Sequence, residues 1–344
     1  MIFSRLIGRR RIYRLPVRWK NCSVELPLIP AGSPAILKSR EGFVESVLIP
    51  SFDKFFISCN LYRAEPSKAV VQIIHGAAEY KGRYHVFATY LQRHGFSVLV
   101  SDQRGHGDSI DARFVRGFMP SIEVLVEDQW YITRFLKQEF FGQPIHLLAH
   151  SFGSNIARLY LHSHDEHIAS LVMTGSPCYV LGIRIGMAFV KLLMLFLSPH
   201  GYGFISGKLT TSASLKWVCS DPSVIEERRI DPYRKNFRYQ LAAIHTIFNS
   251  VNALHTYPNR PIKHPSLPIL CISGSEDPVP GFAKGLADTQ ASLKRIGYTR
   301  IFMKVFPAMR HEVLMEREKE LVFTLITQFL DGKYQGARLD DWQL

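Results

Sequence analysis

The stretch Leu147-Leu148-Ala149-His150-Ser151-Phe152-Gly153-Ser154 limits the folds open to this chain more than any other. Ile145 to Leu148 is an apolar run with strand character, and a helix-like stretch from Asn155 to His162 follows almost at once. A strand that turns directly into a helix must reverse tightly. The turn residue is then forced into strained backbone, and the residues two positions to either side must be small. Ala149 and Gly153 meet that demand, so Ser151 is expected at the tip with its hydroxyl exposed and the next N–H pointing the same way. The pattern small-x-Ser-x-Gly also occurs in ordinary loops, so the flanking sequence decides.

Those flanks alternate strand and helix. Val44–Ile49 and Phe55–Leu61 read as a hairpin that opens the sheet. Strands then follow at Ala69–Ile74, Phe96–Val100, Ile145–Leu148 and Ile168–Thr174, with helices at Tyr84–His94 and Ser121–Gln138 between them. The alternation resumes with strand Pro268–Ile272, helix Gly281–Ile296, strand Arg300–Phe306 and helix Glu312–Leu330. This pattern predicts an α/β architecture: a mostly parallel, eight-stranded sheet with helices on both faces. The interruption at 175–264 has a mainly helical pattern and is too long for a structureless loop. It reads as an inserted helical cap at the carboxyl ends of the strands, where such sheets place their sites. The expected layout is an irregular basic lead-in over 1–43, a catalytic domain formed by 44–174 and 265–331, the cap, and a tail at 332–344.

The formal charge of +13 raises nucleic acid or anionic lipid as partners. Seven cations and no acid fall within the first 20 residues, however, and the other 324 carry only +6. The excess therefore belongs partly to the tail, and no nucleic-acid partner is expected. The tail reads first as a solvated terminus and second as a dock for anionic headgroups. Cys22, Cys59, Cys178, Cys219 and Cys271 are an odd, unpatterned set with no C-x-x-C, which fits a reducing, cytoplasmic location rather than a disulfide framework. No secretory apolar segment and no 18-residue uncharged apolar run is seen, so peripheral contact through the basic N-terminus and the cap is the membrane role that stays open.

A serine hydroxyl needs a base to take its proton, and the base needs a carboxylate to hold its tautomer. After the cap, Ile272-Ser273-Gly274-Ser275-Glu276-Asp277-Pro278 ends a strand with an acid in a turn. Phe306-Pro307-Ala308-Met309-Arg310-His311-Glu312 ends the final strand with a histidine. Asp277 and His311 are thus the acid and base candidates for Ser151, and Glu276 is the rival acid. Three residue types in this order at three strand ends outweigh the ordinary reading of each one alone. The N–H groups of Phe152 and Ala77 are the candidate oxyanion donors, the second from the turn His75-Gly76-Ala77-Ala78-Glu79. His75 itself reads as a turn histidine bonded to nearby backbone.

Together with Arg83-Tyr84, Asp102-Gln103-Arg104-Gly105-His106-Gly107-Asp108-Ser109, Asp277-Pro278-Val279 and Arg310-His311-Glu312, these segments resemble the monoacylglycerol lipase/lysophospholipase branch of the α/β-hydrolases, also called the serine aminopeptidase S33-like hydrolases. The likeness covers roughly residues 44–331. It implies an α/β-hydrolase fold with Ser151 as nucleophile, His311 as base, Asp277 as acid, and Ala77 and Phe152 forming the oxyanion hole. The departures are Ala149 for the first small glycine, Tyr80 where the branch often has His, and the basic lead-in.

The expected activity is hydrolysis of lipid-like or other small carboxylic esters, of monoacylglycerol or lysophospholipid type, with no cofactor and no metal. A peptidase or amidase using the same triad is the alternative, and a catalytically silent binding module is disfavoured by the intact triad. Asp in place of Ser151 would mark a dehalogenase or epoxide hydrolase, so those are excluded. His162-Ser163-His164-Asp165-Glu166-His167 reads as a polar turn rather than a metal cluster, and Arg104-Gly105-His106-Gly107 lacks the Lys-Ser/Thr of a phosphate loop. Within the cap, Leu181–Leu197 is apolar around most of its circumference, with Arg184 and Lys191 on one face. It reads either as ordinary cap core or as a surface for acyl chains or lipid, and it is too short and charged to be a membrane span.

Overall fold

A computed structural model describes residues 35–41, 43–202, 215–256 and 261–334. The cations of the first twenty positions, and with them the reading of that tail, lie outside the described residues, as does Cys22. The sheet comprises β1 (Ile36–Glu41), β2 (Val44–Pro50), β3 (Phe56–Tyr62), β4 (Ala69–Ile74), β5 (Phe96–Ser101), β6 (Ile145–His150), β7 (Ser170–Thr174), β8 (Ile269–Gly274) and β9 (Ile301–Phe306). Its order is β1-β2-β3-β5-β4-β6-β7-β8-β9. β2 and β3 form the expected antiparallel hairpin, β3 joins β5 antiparallel, and every pairing from β5 through β9 is parallel.

The sheet has nine strands where the sequence pattern shows eight. The additional one, β1, falls in the lead-in expected to be irregular. Ile36 and Leu37 on it are exposed, so no apolar alternation marks it in sequence. It pairs antiparallel with β2 and slips register between Leu37 and Ser39.

Strands β4 to β8 are buried along their whole length, which explains their runs of Val, Ile and Leu. Successive side chains alternate between two apolar layers. Leu147 and Leu171 enter one core, and Leu148 and Val172 enter the other. Helices α2 (Ile122–Glu139) and α3 (Phe152–His164) cover the first face. Helices α1 (His85–Arg93) and α8 (Lys319–Leu330) cover the second through Phe87, Leu91, Phe323 and Ile326. Helix α7 (Phe282–Ile296) joins β8 to β9. The last helix starts at Lys319 rather than Glu312, because the intervening backbone is committed elsewhere. Glu312 N–H donates to Val218 O at 2.8 Å, and Arg310 N–H donates to Glu316 Oε1 at 2.9 Å.

Between β7 and β8 lie α4 (Ile183–Leu197), α5 (Pro222–Ile230) and α6 (Leu241–Thr256). Helix α6 sends Leu241, Ala243, Ile244 and Leu254 into the same core as α2 and α3, so it packs as an integral layer of the fold. Helix α4 buries only Ile183 and Val190. Asp221 caps α5, its side chain accepting from Ser223 N–H, with Pro222 in the first turn. From β4 the chain passes to β5 on one side, and β6 lies on the other, so the strand order reverses there. A crevice opens outside the carboxyl ends of β4 and β6 at this reversal.

Candidate active site

Ser151 lies between β6 and α3 with φ 50° and ψ −122°. A non-glycine residue pays for such backbone, at a cost of about 1–3 kcal/mol, so it persists only where the surroundings enforce it. They do so here through close approach. A Cβ on Gly153 would come within 2.5 Å of Ile74 O and 2.6 Å of His75 O. Only glycine lets α3 leave the turn this near the end of β4. Ala149 on the other side fits inside the core with no exposed surface.

His311 follows β9 and Asp277 follows β8. His311 Nε2 is 2.9 Å from Ser151 Oγ, and His311 Nδ1 is 2.9 Å from Asp277 Oδ2. An ionised carboxylate only accepts, so Nδ1 carries the proton and Nε2 is left to accept from the hydroxyl. Asp277 is fully buried, and its Oδ1 accepts from Val279 N–H at 2.9 Å, which fixes the carboxylate's orientation. The rival acid, Glu276, turns outward to Arg310 Nε at 3.2 Å and is half-exposed. The three sequence-derived residues therefore meet in one hydrogen-bonded line, with Glu276 outside it.

Ala77 and Phe152 both line the adjoining cavity of about 390 Å³, together with Ser151 and His311. The next amide in the turn, Ala78 N–H, already donates to Tyr239 Oη, which also bonds His106 Nε2 at 2.9 Å. His75 takes no part in the cavity. Gln103 N–H donates to its Nε2 at 2.9 Å, so its Nδ1–H donates to Gly76 O at 2.8 Å. That is the backbone-bound turn histidine expected from the sequence.

Behind the serine is a charged cluster that has no role in the sequence-derived assignments. Glu79 Oε2 accepts from Gly76 N–H at 2.8 Å and Tyr84 Oη at 2.9 Å. Glu312, next to His311, accepts from Arg83 at 2.7 Å and from Arg228 of α5. Burial opposes charge on Glu79, but His150, Arg83 and Arg228 hold its carboxyl well below the usual range. Burial pushes the His150 imidazole down to about 4, and its Nδ1 lies 2.9 Å from Thr174 Oγ1. Glu79, His150 and Glu312 have ligand atoms close enough to share a metal ion. Arg83 and Arg228 already balance both carboxylates, which removes the charge demand a cation would meet.

Arg228, Arg234 and Tyr239 reach the site from the insertion, and no local motif announces them. Tyr80, a departure from the family pattern, donates to Asp231 Oδ2 at 2.8 Å and stacks on Tyr233, tying the candidate oxyanion turn to the same region. The His162–His167 segment is organised by stacking, with His164 and His167 lying against Trp130. From α4 only Ile183 lines the cavity; Phe189 and Leu193 do not. Cys59, Cys178, Cys219 and Cys271 are free thiols.

A parallel-rich sheet whose strand ends carry Ser, Asp and His in this order defines an α/β-hydrolase. Residues 65–318 match the family described as serine aminopeptidase, S33, and the chain belongs to that family. It is 25% identical to the phospholipase YtpA of Bacillus subtilis, over 78% of this chain and 98% of that protein. It is also 25% identical to a monoacylglycerol lipase of Mycolicibacterium smegmatis, over 76% of this chain and 88% of that protein. Among solved structures it resembles a thermostable carboxyl esterase from Bacillus coagulans, with a TM-score of 0.73 and 20% identity over 84% of this chain and 98% of the other. A soluble variant of monoglyceride lipase from Saccharomyces cerevisiae matches with a TM-score of 0.67 and 18% identity, over 88% and 96% of the two chains.

Proposed function

We propose that this chain hydrolyses carboxylic esters of lipid-like substrates through an acyl-enzyme on Ser151. The observation that carries the reading is the Ser151–His311–Asp277 line opening onto a cavity whose lining includes the apolar side chains of Val180, Ile183, Ile247, Phe248 and Val251. Ser151 Oγ attacks the ester carbonyl carbon as its proton passes to His311 Nε2. The oxygen that gains charge accepts from the N–H groups of Ala77 and Phe152, a contribution worth about 10²–10³ in rate per donor. His311 then gives its proton to the departing alkoxide, the alcohol leaves, and an acyl-Ser151 ester remains. Water, deprotonated by His311, attacks that ester and releases the acid. The lipase and phospholipase names of the relatives agree with this chemistry.

The peptidase alternative fits less well. A peptide N-terminus is an ammonium and needs an unpaired carboxylate in the pocket, whereas Glu79 and Glu312 are both paired with arginine. The discriminating experiment is a panel of monoacylglycerols, lysophospholipids, short-chain esters and aminoacyl amides assayed with the same enzyme preparation. Turnover of the amides above the esters would overturn the ester reading.

We further propose that α4 rests on a lipid surface. Ile185, Leu195 and Phe196 on it are more than three-quarters exposed, and so large an apolar face is costly in water. Among the described residues, no helix is long and apolar enough to cross a membrane. Contact in the plane of the interface is the remaining geometry.

A further inference from the structure

The cavity also has a charged lining. Arg228 and Arg234 both line it, together with Glu79 and Glu312. Each is anchored one residue from a part of the proposed machinery. Arg234 donates to the carbonyl of Ala78, next to the oxyanion donor Ala77. Arg228 donates to Glu312, next to the base His311. These anchors hold both guanidiniums close to the residues proposed to act on the ester.

Their charge exceeds what the cluster needs. Two guanidiniums, those of Arg83 and Arg228, pair with the two carboxylates Glu79 and Glu312, and Arg234 adds a third cation beside them. Arg83 and Arg228 satisfy both carboxylates. Among the described residues, no carboxylate lies within ion-pair distance of Arg234, whose side chain bonds the carbonyl of Ala78 instead. Arg228 is 8% exposed, and its Nε has no hydrogen-bond partner among the described residues. Arg234 is half-buried, and a cation so placed without an ion pair of its own gains from an anion that can pair with it. Burial, then the neighbouring Arg228, brings Arg234 down to about 10, so it still carries its charge at neutral pH.

Resting on the ester-hydrolase reading above, we propose that Arg228 and Arg234 form a subsite for an anionic group on the alcohol side of the ester, so that the preferred substrate is a monoacyl lipid carrying a phosphate on its glycerol. The phosphate supplies the missing counter-charge, and its oxygens match the planar donor fork of a guanidinium. A neutral monoacylglycerol meets the same apolar side chains but leaves Arg234 unpaired. Preference between the two is a difference in pairing at Arg234, not in acyl contact.

The test compares 1-oleoyl-glycerol 3-phosphate with 1-oleoyl-glycerol in the same neutral detergent micelles. Wild type should show the higher kcat/KM on the phosphorylated lipid. Arg234→Gln should lower that preference at least about tenfold, mainly through KM, and Arg234→Lys should restore part of it. Equal or better turnover of the neutral lipid by wild type, or an equal loss on both lipids in Arg234→Gln, would overturn the subsite. Binding provides a readout independent of turnover and of the variants. Glycerol 3-phosphate should raise the melting temperature of the wild-type protein at concentrations where glycerol and inorganic phosphate do not. No shift, or an equal shift with inorganic phosphate, would also overturn it. Loss of all esterase activity and of fluorophosphonate labelling, with the glycerol 3-phosphate shift intact, would instead count against the Ser151 reading alone.

Discussion

His311 Nδ1 donates to Asp277 Oδ2 at 2.9 Å, while the residue just before Asp277, Glu276, reaches the opposite way to Arg310. Two adjacent acids in one turn thus have separate partners, and exchanging them should have unequal effects. Asp277→Asn should cut turnover by about 10³–10⁴ with the fold intact, because the imidazole loses the acceptor that sets its tautomer. Glu276→Gln should retain activity within about twofold, since it removes only a half-exposed surface pair. Steady-state kinetics on a soluble ester decide this, and the reverse ranking would move the acid role to Glu276.

Ser151→Ala should abolish esterase activity and labelling by a fluorophosphonate probe while the far-ultraviolet spectrum stays unchanged. His311→Ala should fall by a comparable factor, and the double variant should be no worse than either single one, because the two residues act as a unit. Residual labelling of Ser151→Ala at a second serine would contradict the assignment.

Glu127 on α2 provides a pH dependence of stability unconnected with turnover. Burial raises its carboxyl to about 7 from an ordinary value of 4.5, and its Oε1 has no hydrogen-bond partner among the described residues. The folded state thus favours the protonated form. The associated stability is fully present below about pH 4.5 and is lost as the pH rises through 7. Glu127→Gln should leave stability near pH 4.5 unchanged and raise it at pH 8 by up to about 3 kcal/mol. Urea melts at the two pH values measure this. An equal effect at both would show that Glu127 is already ionised in the fold.

Leu195→Asp and Phe196→Asp place charge on the exposed face of α4, away from the cavity. Both variants should keep their activity on p-nitrophenyl butyrate within about twofold and co-sediment several-fold less with anionic liposomes. Unaltered liposome binding would remove α4 from the membrane reading.

The parts legible in the sequence are those whose signals are local. Ser151, Asp277 and His311 each follow a strand and sit in a turn, so residue type, order and strand ends were enough to single them out. The central strands were equally plain, because burial on both faces leaves mainly apolar residues. What stayed hidden depends on distant contacts. β1 is an edge strand with exposed Ile36 and Leu37, and its pairing with β2 is not written in its own pattern. The late start of α8 depends on hydrogen bonds to residues about a hundred positions earlier. Arg228, Arg234 and Tyr239 belong to the insertion, and only the folded chain brings them beside Ala78 and Glu312.

The backbone at Ser151, with φ 50°, suits glycine better than any other residue. The position proposed to carry the nucleophile is therefore also a thermodynamic liability, and the two demands on it conflict. Selection for heat tolerance alone would favour Gly at this site and yield a sturdier protein with no turnover. A stabilisation campaign on this scaffold should score catalysis in every round, and a consensus that drifts to glycine at 151 would mark lineages that kept the architecture after abandoning the reaction.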